Sequence, residues 1–444
     1  MIKKTDGMPY GTVMKGRLPM HTLIRLLRAG VRNSAPEDQN APSPNRARVR
    51  MLSLVETFVE TFRPEDTQPL FLCSAPGRTE IGGNHTDHQN GRVLCAAVDC
   101  DLLACAMPNG LPTVRLHSEG YAPVEIDLRD LRPNEAEFNT TAALVRGVAA
   151  GIRNAGFPIG GFDICVTSDI PVGAGLSSSA AFEVLIGKLF NRMFCRDQLT
   201  PTQLAQIGQF AEQVYFGKPC GLMDQMACSL GGILSIDFAD PAQPAVESVS
   251  CDLAKLGYTL CIINTGSCHA DLTEDYAAIP REMGQIASHF GAKVLRDVAE
   301  EDVRAQIPAL RAAYGDRAVL RALHFYEENR RADIQADALS MDDLPAFLRL
   351  VNESGASSVL SLQNIHTGNP AEQSLTLALT LGRALLGSEG AIRVHGGGFA
   401  GTVQAFVPTD LLPQFKEGME AVFGAGSCLC LRFRTAGACI LAGG

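Results

Sequence analysis

The chain has 444 residues, of which 46% are hydrophobic and 19% are charged, and its formal net charge is −10. This length and composition predict two folded domains and argue against extended disorder. The first fifty residues are basic, whereas the remainder of the chain is acidic. An acidic body disfavours nucleic acid as the main partner, so we expect no nucleic-acid binding.

The 14 cysteines are scattered along the chain and form no CxxC pair. This spacing predicts reduced, mostly buried thiols and no zinc site. No apolar run reaches the length of about 18 residues that a membrane helix needs, and the N-terminus lacks the apolar region of a signal peptide. We therefore expect a cytoplasmic protein without a membrane partner.

Residues 1–45 are predicted to be an N-terminal extension and linker. Within them, residues 20–32 are basic and have the apolar spacing of a short amphipathic helix. Either this helix docks on the body of the protein, which we favour, or it directs the chain to a membrane surface. Residues 33–47 are rich in proline, asparagine and serine and are predicted to form a loop.

The remaining elements follow one another irregularly along the chain. The apolar periodicity predicts helices at 48–63, 141–154, 177–194, 200–216 and about 272–290, with more helices up to about 386. Strands are predicted at 70–74, 93–98, 102–107, 113–117, 124–128, 161–168, 231–238, 258–264, 391–394 and 401–407. Strands dominate early and helices dominate the middle, so the predicted fold class is α+β rather than a regular βαβ repeat.

The segment Asp169–Ala181 reads DIPVGAGLSSSAA and places a glycine-containing loop between a predicted strand and a predicted helix. Glycines let the backbone approach an anion, and the free N–H groups at a helix N-terminus favour phosphate. The candidate ATP-binding residues are Gly173, Gly175, Leu176, Ser177, Ser178 and Ser179. An N-capped helix after an ordinary glycine turn would look similar, and there is no Walker A lysine.

Two carboxylates further along are candidates for phosphoryl-transfer chemistry. Asp224 lies in CGLMDQ, shortly after the predicted helix that contains Glu212. Such chemistry requires a metal clamp, a group that orients the acceptor hydroxyl, and positive charge. Asp224 is a candidate to orient or deprotonate the acceptor, and Glu212 is a candidate Mg²⁺ ligand. Considered alone, an aspartate in such a loop is more often a cap or turn residue.

Residues 78–91 read RTEIGGNHTDHQNG and concentrate polar side chains between predicted strands. Sugar hydroxyls require paired donors and acceptors, so this segment is a candidate sugar-binding loop. Its candidate contacts are Glu80, Asn84, His85 and Asp87. For each histidine, a structural or surface role is the alternative. Residues 396–401, GGGFAG, predict either a close backbone approach to a ligand or a turn between strands.

In this order, the polar loop, the PxGxGLSSSAA segment and the late GGGFxG segment resemble the GHMP kinases. Within that superfamily, residues 77–94 (GRTEIGGNHTDHQNGRVL) resemble the galactokinase signature GRxNxIGEHTDYNxGxVL, and residues 220–225 match CGxMDQ. The resemblance covers roughly residues 46–440. It implies a two-domain α+β GHMP kinase fold, with domains at 46–250 and 251–444 and with ATP and a sugar in the cleft between the domains.

The resemblance also implies roles for individual residues. Asp224 would be the catalytic aspartate, and Arg78 would keep it ionised and add positive charge near the transferred phosphoryl group. Ser179 and Glu212 would flank Mg²⁺. The sugar contacts implied by position are His85, Asp87, Gly221 and Tyr276.

Several positions depart from the galactokinase signature. Asn84 stands where the family has Glu, Glu80 where it has Asn, and His88 where it has Tyr. Either the carboxylate has moved within the site or the substrate is not galactose. The resemblance implies a monomeric enzyme that transfers the ATP γ-phosphate to the anomeric hydroxyl of galactose, giving galactose 1-phosphate. The alternatives are a kinase of another sugar such as N-acetylgalactosamine, a non-catalytic sugar and ATP sensor, and a mevalonate-type kinase.

Overall fold

The structure, a computed structural model, describes residues 2–3, 13–14, 20–32, 44–65, 69–171, 173–266, 273–366, 369–399 and 401–443. Its strands are β1 (Ile2–Lys3), β2 (Val13–Met14), β3 (Phe71–Gly82), β4 (Arg92–Pro108), β5 (Thr113–Ser118), β6 (Val124–Asp127), β7 (Phe162–Ser168), β8 (Ile233–Asp237), β9 (Ala245–Val249), β10 (Tyr258–Asn264), β11 (Ala391–Val394), β12 (Thr402–Pro408), β13 (Cys428–Leu431) and β14 (Cys439–Ala442). Its helices are α1 (Met20–Arg32), α2 (Pro44–Phe62), α3 (Thr141–Asn154), α4 (Ser178–Phe194), α5 (Pro201–Phe210), α6 (Met223–Leu230), α7 (Thr273–His289), α8 (Glu300–Ala305), α9 (Ile307–Tyr314), α10 (Asp316–Ser340), α11 (Leu344–Ser357), α12 (Ser374–Leu386) and α13 (Leu412–Phe423). The π-helical segments Ala211–Phe216 and Ser358–Leu362 continue α5 and α11.

The strands form two mixed or antiparallel sheets, which confirms the α+β prediction. The larger sheet has the order β1-β2-β14-β3-β4-β7-β5-β6, and β8 and β9 extend it from β4. The smaller sheet has the order β11-β12-β10-β13. Helices α3, α4 and α6 pack on the larger sheet, α5 packs on these helices, and α12 and α13 pack on the smaller sheet. The helix predicted at 200–216 is present as α5 and the π-helical segment Ala211–Phe216 that continues it.

Strand β4 is one continuous strand, so the break predicted between 93–98 and 102–107 is wrong. The predicted break contains Asp101, which is only 1% exposed. Its carboxylate accepts hydrogen bonds from Arg50 at 2.6 Å and from Arg434 at 2.8 Å. Because these arginines come from both ends of the chain, the buried charge is compensated by partners that local sequence does not reveal.

Strand β3 also continues beyond its predicted end at residue 74, and all of its residues are buried. This extension carries Arg78 into the centre of the molecule. A Cβ atom on Gly77 would lie 2.8 Å from the carbonyl oxygen of Leu176, so glycine is required for this approach. The N–H of Arg78 donates to the same oxygen at 3.1 Å. Strand β3 is thereby fixed against the candidate phosphate-binding loop.

Strand β14 lies in the second predicted domain, 251–444, but belongs to the sheet of the first. It pairs antiparallel with β3, with Cys439 opposite Ser74 and Ile440 opposite Cys73. The last strand of the second predicted domain thus belongs to the sheet of the first. The two-domain division stays a prediction, with this strand as its exception.

The predicted amphipathic helix forms as α1 and packs against α2. Leu23 and Leu27 are each 2% exposed and share one apolar cluster with Phe58 of α2. At the surface, Arg28 forms an ion pair with Glu56 at 2.6 Å. This arrangement supports the docked helix that we favoured. Among the helices that the structure describes, none is long and apolar enough to cross a membrane. The loop predicted at 33–47 lies largely outside the described residues, and α2 already begins within it.

Candidate active site

The candidate phosphate-binding loop runs from β7 to the first turn of α4. Gly173 and Gly175 have positive φ angles of 74° and 66°, which L side chains rarely adopt. A Cβ atom on Gly175 would also lie 2.5 Å from Oγ1 of Thr402, so this glycine allows the loop to contact the smaller sheet. Gly173 and Ser178 are exposed, and α4 begins at Ser178. The backbone therefore reaches an open surface at a helix N-terminus, the arrangement that binds phosphate.

Ser177 distinguishes this loop from an ordinary capped helix. It is the residue before α4, has a left-handed φ of 56°, and makes no side-chain cap hydrogen bond. Its hydroxyl instead donates to Oδ2 of Asp224. The loop is thus connected to the candidate catalytic carboxylate rather than only to its own helix.

Arg78 and Asp224 form a bidentate ion pair at the centre of the site. Nε and Nη2 of Arg78 donate to the two carboxylate oxygens at 2.6 and 2.7 Å, and Nη1 donates to the carbonyl of Gly175 at 2.5 Å. The Asp224 side chain remains 24% exposed, whereas that of Arg78 is 7% exposed. Asp224 is therefore held in a fixed orientation and is still accessible to a substrate.

The environment keeps Asp224 ionised. Burial alone favours the neutral acid, but the charge and hydrogen bonds of Arg78, with the hydroxyl of Ser177, lower the pKa of Asp224 below its ordinary value. Asp224 lies in the first turn of α6. A simple cap or turn role does not account for the pairing with Arg78.

Ser179 and Glu212, the predicted Mg²⁺ ligands, are adjacent. Oγ of Ser179 lies 3.0 Å from Oε1 of Glu212. Two neighbouring ligands of an octahedral Mg²⁺ at 2.0–2.1 Å lie about 2.9 Å apart, so this spacing fits the ion. The ligating atom of each side chain is oxygen, which Mg²⁺ prefers. In the described part of the chain, no group of three His, Cys, Asp or Glu side chains forms a metal cage. A site of this kind relies on substrate phosphates and water for its other ligands.

Sequence reasoning missed three side chains around Glu212. Lys218 donates to Oε1 of Glu212 at 3.0 Å, and Gln225 donates to Oε2 at 2.8 Å. Gln225 also donates to Glu183 at 3.0 Å. Burial, together with the nearby charge of Glu212, raises the pKa of Glu183 well above its ordinary value. Lys218 could have been singled out as a basic residue two positions before CGLMDQ, but Glu183 lies inside an apolar helical pattern that gives no such signal.

The candidate sugar contacts lie around the 396–401 loop and the start of α6. Nε2 of His85 donates to the carbonyl of Gly397 at 3.0 Å, and the hydroxyl of Tyr276 donates to Gly398 at 2.7 Å. A Cβ atom on Gly221 would lie 1.6 Å from Oδ2 of Asp87, so these two residues are in contact. The structure thus brings His85 and Tyr276 to one glycine loop and joins Asp87 to the CGLMDQ segment.

Glu80 and Asn84 occupy a different position from the predicted sugar contacts. They are 3% and 0% exposed, and Nδ2 of Asn84 donates to Oε1 of Glu80 at 2.9 Å. The same Glu80 oxygen accepts from Arg393 at 2.6 Å. Oδ1 of Asn84 accepts from Asn364 at 2.9 Å and from Ser358 at 3.3 Å. Because these partners come from the second half of the chain, both side chains connect the halves and neither reaches an open surface.

His85 should make stability depend on pH. Burial, and then the neighbouring His88, lower the pKa of His85 to about 3, whereas an unfolded histidine titrates near pH 6.5. Between these values the unfolded chain binds more protons, so stability falls as the pH decreases from about 6.5 towards 3. Between pH 7.5 and 5.0 the loss expected from His85 alone is about 2 kcal/mol, measured by comparing the urea midpoints of the native protein and the variant below at both pH values.

The variant His85→Asn should reduce this pH dependence, because it removes the group that takes up the proton. Asparagine also tolerates the left-handed φ of 61° at this position. The matched control is His117→Asn at a partly exposed histidine, which should leave the pH dependence as it is in the native protein. An unchanged dependence in His85→Asn would show that other groups cause it.

Two family models match the chain in the regions just described. The model for the GHMP kinases N terminal domain matches residues 143–232, which contain the glycine loop and Asp224. The galactokinase galactose-binding signature matches residues 56–108, which contain β3 and the polar loop. The fold and the site therefore define a GHMP kinase.

Comparison with individual GHMP kinases shows which family within this superfamily the chain belongs to. The galactokinase of Streptomyces coelicolor is 31% identical over 377 residues, which cover 83% of this chain and 92% of that protein. The crystal structure of Lactococcus lactis galactokinase complexed with galactose has a TM-score of 0.75 at 25% identity and covers 88% of this chain and 99% of its own. The chain belongs to the galactokinase family. The Methanococcus jannaschii mevalonate kinase, with a TM-score of 0.58, 16% identity and coverage of 83% and 99%, shares the fold.

Proposed function

We propose that this galactokinase-like kinase transfers the γ-phosphate of ATP to the anomeric hydroxyl of galactose, giving galactose 1-phosphate. The observation that carries the proposal is the bidentate pair of Arg78 and Asp224 beside the glycine loop. This pair combines a fixed, accessible carboxylate with a buried cation next to a phosphate-binding helix N-terminus. Phosphoryl transfer requires these groups and little else from the protein.

In this proposal, Asp224 accepts a hydrogen bond from the anomeric hydroxyl and directs its oxygen at the γ-phosphorus. The lowered pKa of Asp224 makes it a weak base, so orientation is its main task and the proton moves late. A late proton transfer suits the loose transition state of this reaction. Arg78 stabilises the negative charge of the transferred group, because its guanidinium is charged at all relevant pH values.

The glycine loop and α4 hold the ATP phosphates through backbone N–H groups. Ser179 and Glu212 would hold Mg²⁺, which when bound neutralises charge on the phosphates. Lys218 is positioned beside Glu212 and supplies a second cation at the rim of the site. The acidic chain thus gains a local positive site where ATP binds.

The proposal that the sugar is galactose is supported by the residues around the 396–401 loop. His85, Asp87, Gly221 and Tyr276 stand at positions that resemble the galactokinase pattern. His85 and Tyr276 donate to this glycine loop, and Asp87 contacts Gly221. The departures at Glu80 and Asn84 are buried and paired with the second half of the chain. They therefore give little reason to replace galactose by another sugar, although N-acetylgalactosamine is the second candidate to test.

The test is ADP release with MgATP and a sugar panel of galactose, N-acetylgalactosamine, glucose, arabinose and no sugar. We expect turnover with galactose, and phosphorus NMR of the product should show phosphate on the anomeric oxygen. Asp224→Asn protein serves as the control for contaminating kinases. Turnover with N-acetylgalactosamine alone would contradict the proposed substrate, and phosphate on another hydroxyl would contradict the 1-kinase assignment.

Glu212→Gln should increase the Mg²⁺ concentration needed for half-maximal activity by about tenfold or more, because it removes one of two protein ligands. The measurement is activity at fixed ATP over a range of free Mg²⁺. The matched control is Glu417→Gln on the exposed side of α13, which should leave the Mg²⁺ requirement unchanged. An unchanged requirement in Glu212→Gln would remove this residue from the metal site.

A further inference from the structure

Three cysteines form a cluster on the smaller sheet, outside the site described above. Cys261 lies on β10, and Cys428 and Cys430 lie on β13. Cys261 is directly opposite Cys430 in the pairing of the two strands. Residues two apart on a strand share a face, so Cys428 lies on the same side. Each of the three thiols shifts the pKa of the other two.

The register gives Cys261 and Cys430 a spacing suited to a disulfide. The N–H of Asn264 donates to the carbonyl of Ser427 at 2.9 Å, which makes these two residues a hydrogen-bonded pair. Pair types alternate along antiparallel strands, so Cys261 and Cys430, three steps along, are a non-hydrogen-bonded pair. The Cα atoms of such a pair lie about 4.5 Å apart, within the range that a disulfide spans.

The cluster combines one accessible thiol with two buried ones. Cys430 is exposed on the edge strand β13, whereas Cys261 and Cys428 are buried. Hydrogen bonds from the two buried thiols lower the pKa of the Cys430 thiol, and Lys416 of α13 adds to the effect. Because the thiolate is the reactive form, Cys430 is the member of the cluster that meets an oxidant first.

The environment of Cys251 shifts the pKa of its thiol in the opposite direction from that of Cys430. It is partly exposed, but burial raises the pKa of its thiol to about 11. This thiol is therefore largely protonated at neutral pH and reacts slowly. It provides an internal reference for the reactivity of Cys430.

We propose that Cys430 and Cys261 form a peroxide-responsive dithiol, a modification site distinct from the kinase site. The Cys430 thiolate attacks a peroxide oxygen, the O–O bond breaks, and Cys430 sulfenic acid and hydroxide form. The hydroxide takes up a proton from solvent. The Cys261 sulfur then attacks the sulfenic sulfur, forming the disulfide and releasing water with the Cys261 proton. Two thiols are oxidised by two electrons in total, and one hydrogen peroxide is reduced to two waters.

The test is treatment of the full chain with one equivalent of hydrogen peroxide, followed by alkylation and peptide mass spectrometry. We expect a linked peptide pair that contains Cys261 and Cys430, with a loss of two hydrogens, and its reversal by dithiothreitol. In a separate labelling at pH 6, Cys430 should be alkylated about tenfold faster than Cys251. Cys251→Ser should leave the linkage intact, and Cys430→Ser should abolish it.

Cys261→Ser separates the two steps, because Cys430 sulfenic acid should then accumulate and be trapped by dimedone. If this buried substitution prevents folding, the linkage mapped in the native protein still tests the pair. A Cys428–Cys430 linkage, no linkage at all, or equal labelling rates of Cys430 and Cys251 would each overturn the proposal.

Discussion

Replacing Asp224 by asparagine should lower kcat by about 10²- to 10⁴-fold while leaving the affinity for ATP within about threefold. The amide keeps the size of the side chain but removes the negative charge that orients the acceptor hydroxyl. It also leaves the buried Arg78 with two of its three acceptors, the amide oxygen at position 224 and the Gly175 carbonyl, and places an NH₂ group against the guanidinium. ATP is proposed to bind through backbone N–H groups of the glycine loop, which the substitution does not remove, so its affinity should change little.

The same substitution should reduce stability, because removing one partner of a buried ion pair costs about 3–5 kcal/mol. Turnover must therefore be expressed per folded protein, with the folded fraction determined by circular dichroism. The matched control is Asp252→Asn on an exposed aspartate, which should affect neither property. Near-normal turnover of folded Asp224→Asn would remove Asp224 from the chemical step.

Asn84→Glu, which restores the family residue at this position, should destabilise the protein by about 3 kcal/mol or more. The new carboxylate would lie next to Glu80, whose Oε1 is 2.9 Å from Nδ2 of Asn84. Two buried carboxylates at this distance repel each other, and Arg393 can neutralise one charge. The measurement is the urea midpoint of unfolding.

The double variant Glu80→Asn/Asn84→Glu exchanges the two side chains and should recover at least about half of the loss. In this variant, one carboxylate and one amide are again in contact, close to Arg393. The control Asn154→Glu on the exposed end of α3 should change stability by less than about 0.5 kcal/mol. A stable single variant, or a double variant that is less stable than the single one, would contradict the paired exchange.

The phosphate loop and Asp224 could be proposed from the sequence because the residues that mark each of them are neighbours along the chain. The glycine pattern of 173–175 and the onset of α4 follow from local conformational rules. The positions of Glu80 and Asn84 could not be predicted in this way, since their partners Arg393 and Asn364 lie more than two hundred residues further on.

The same limit explains the error in β4. An aspartate is not expected in the middle of a buried strand, because an uncompensated charge is costly inside a protein. Here the compensation is supplied by Arg50 and Arg434, which no local pattern connects to Asp101. Long-range pairing of charges therefore determined both the length of the strand and the position of the two departures in the polar loop.

The pairing of β14 with β3 has a consequence for protein synthesis. The ribosome releases β14 only after the whole second half of the chain has been made. While that half is synthesised, β3 has no partner strand at the edge that β14 will occupy. Until then the edge of β3 is open for pairing with another strand. The sheet that carries Arg78 is thus completed only after the whole second half of the chain has been made, and nascent chains that stop short of β14 expose an edge that favours aggregation.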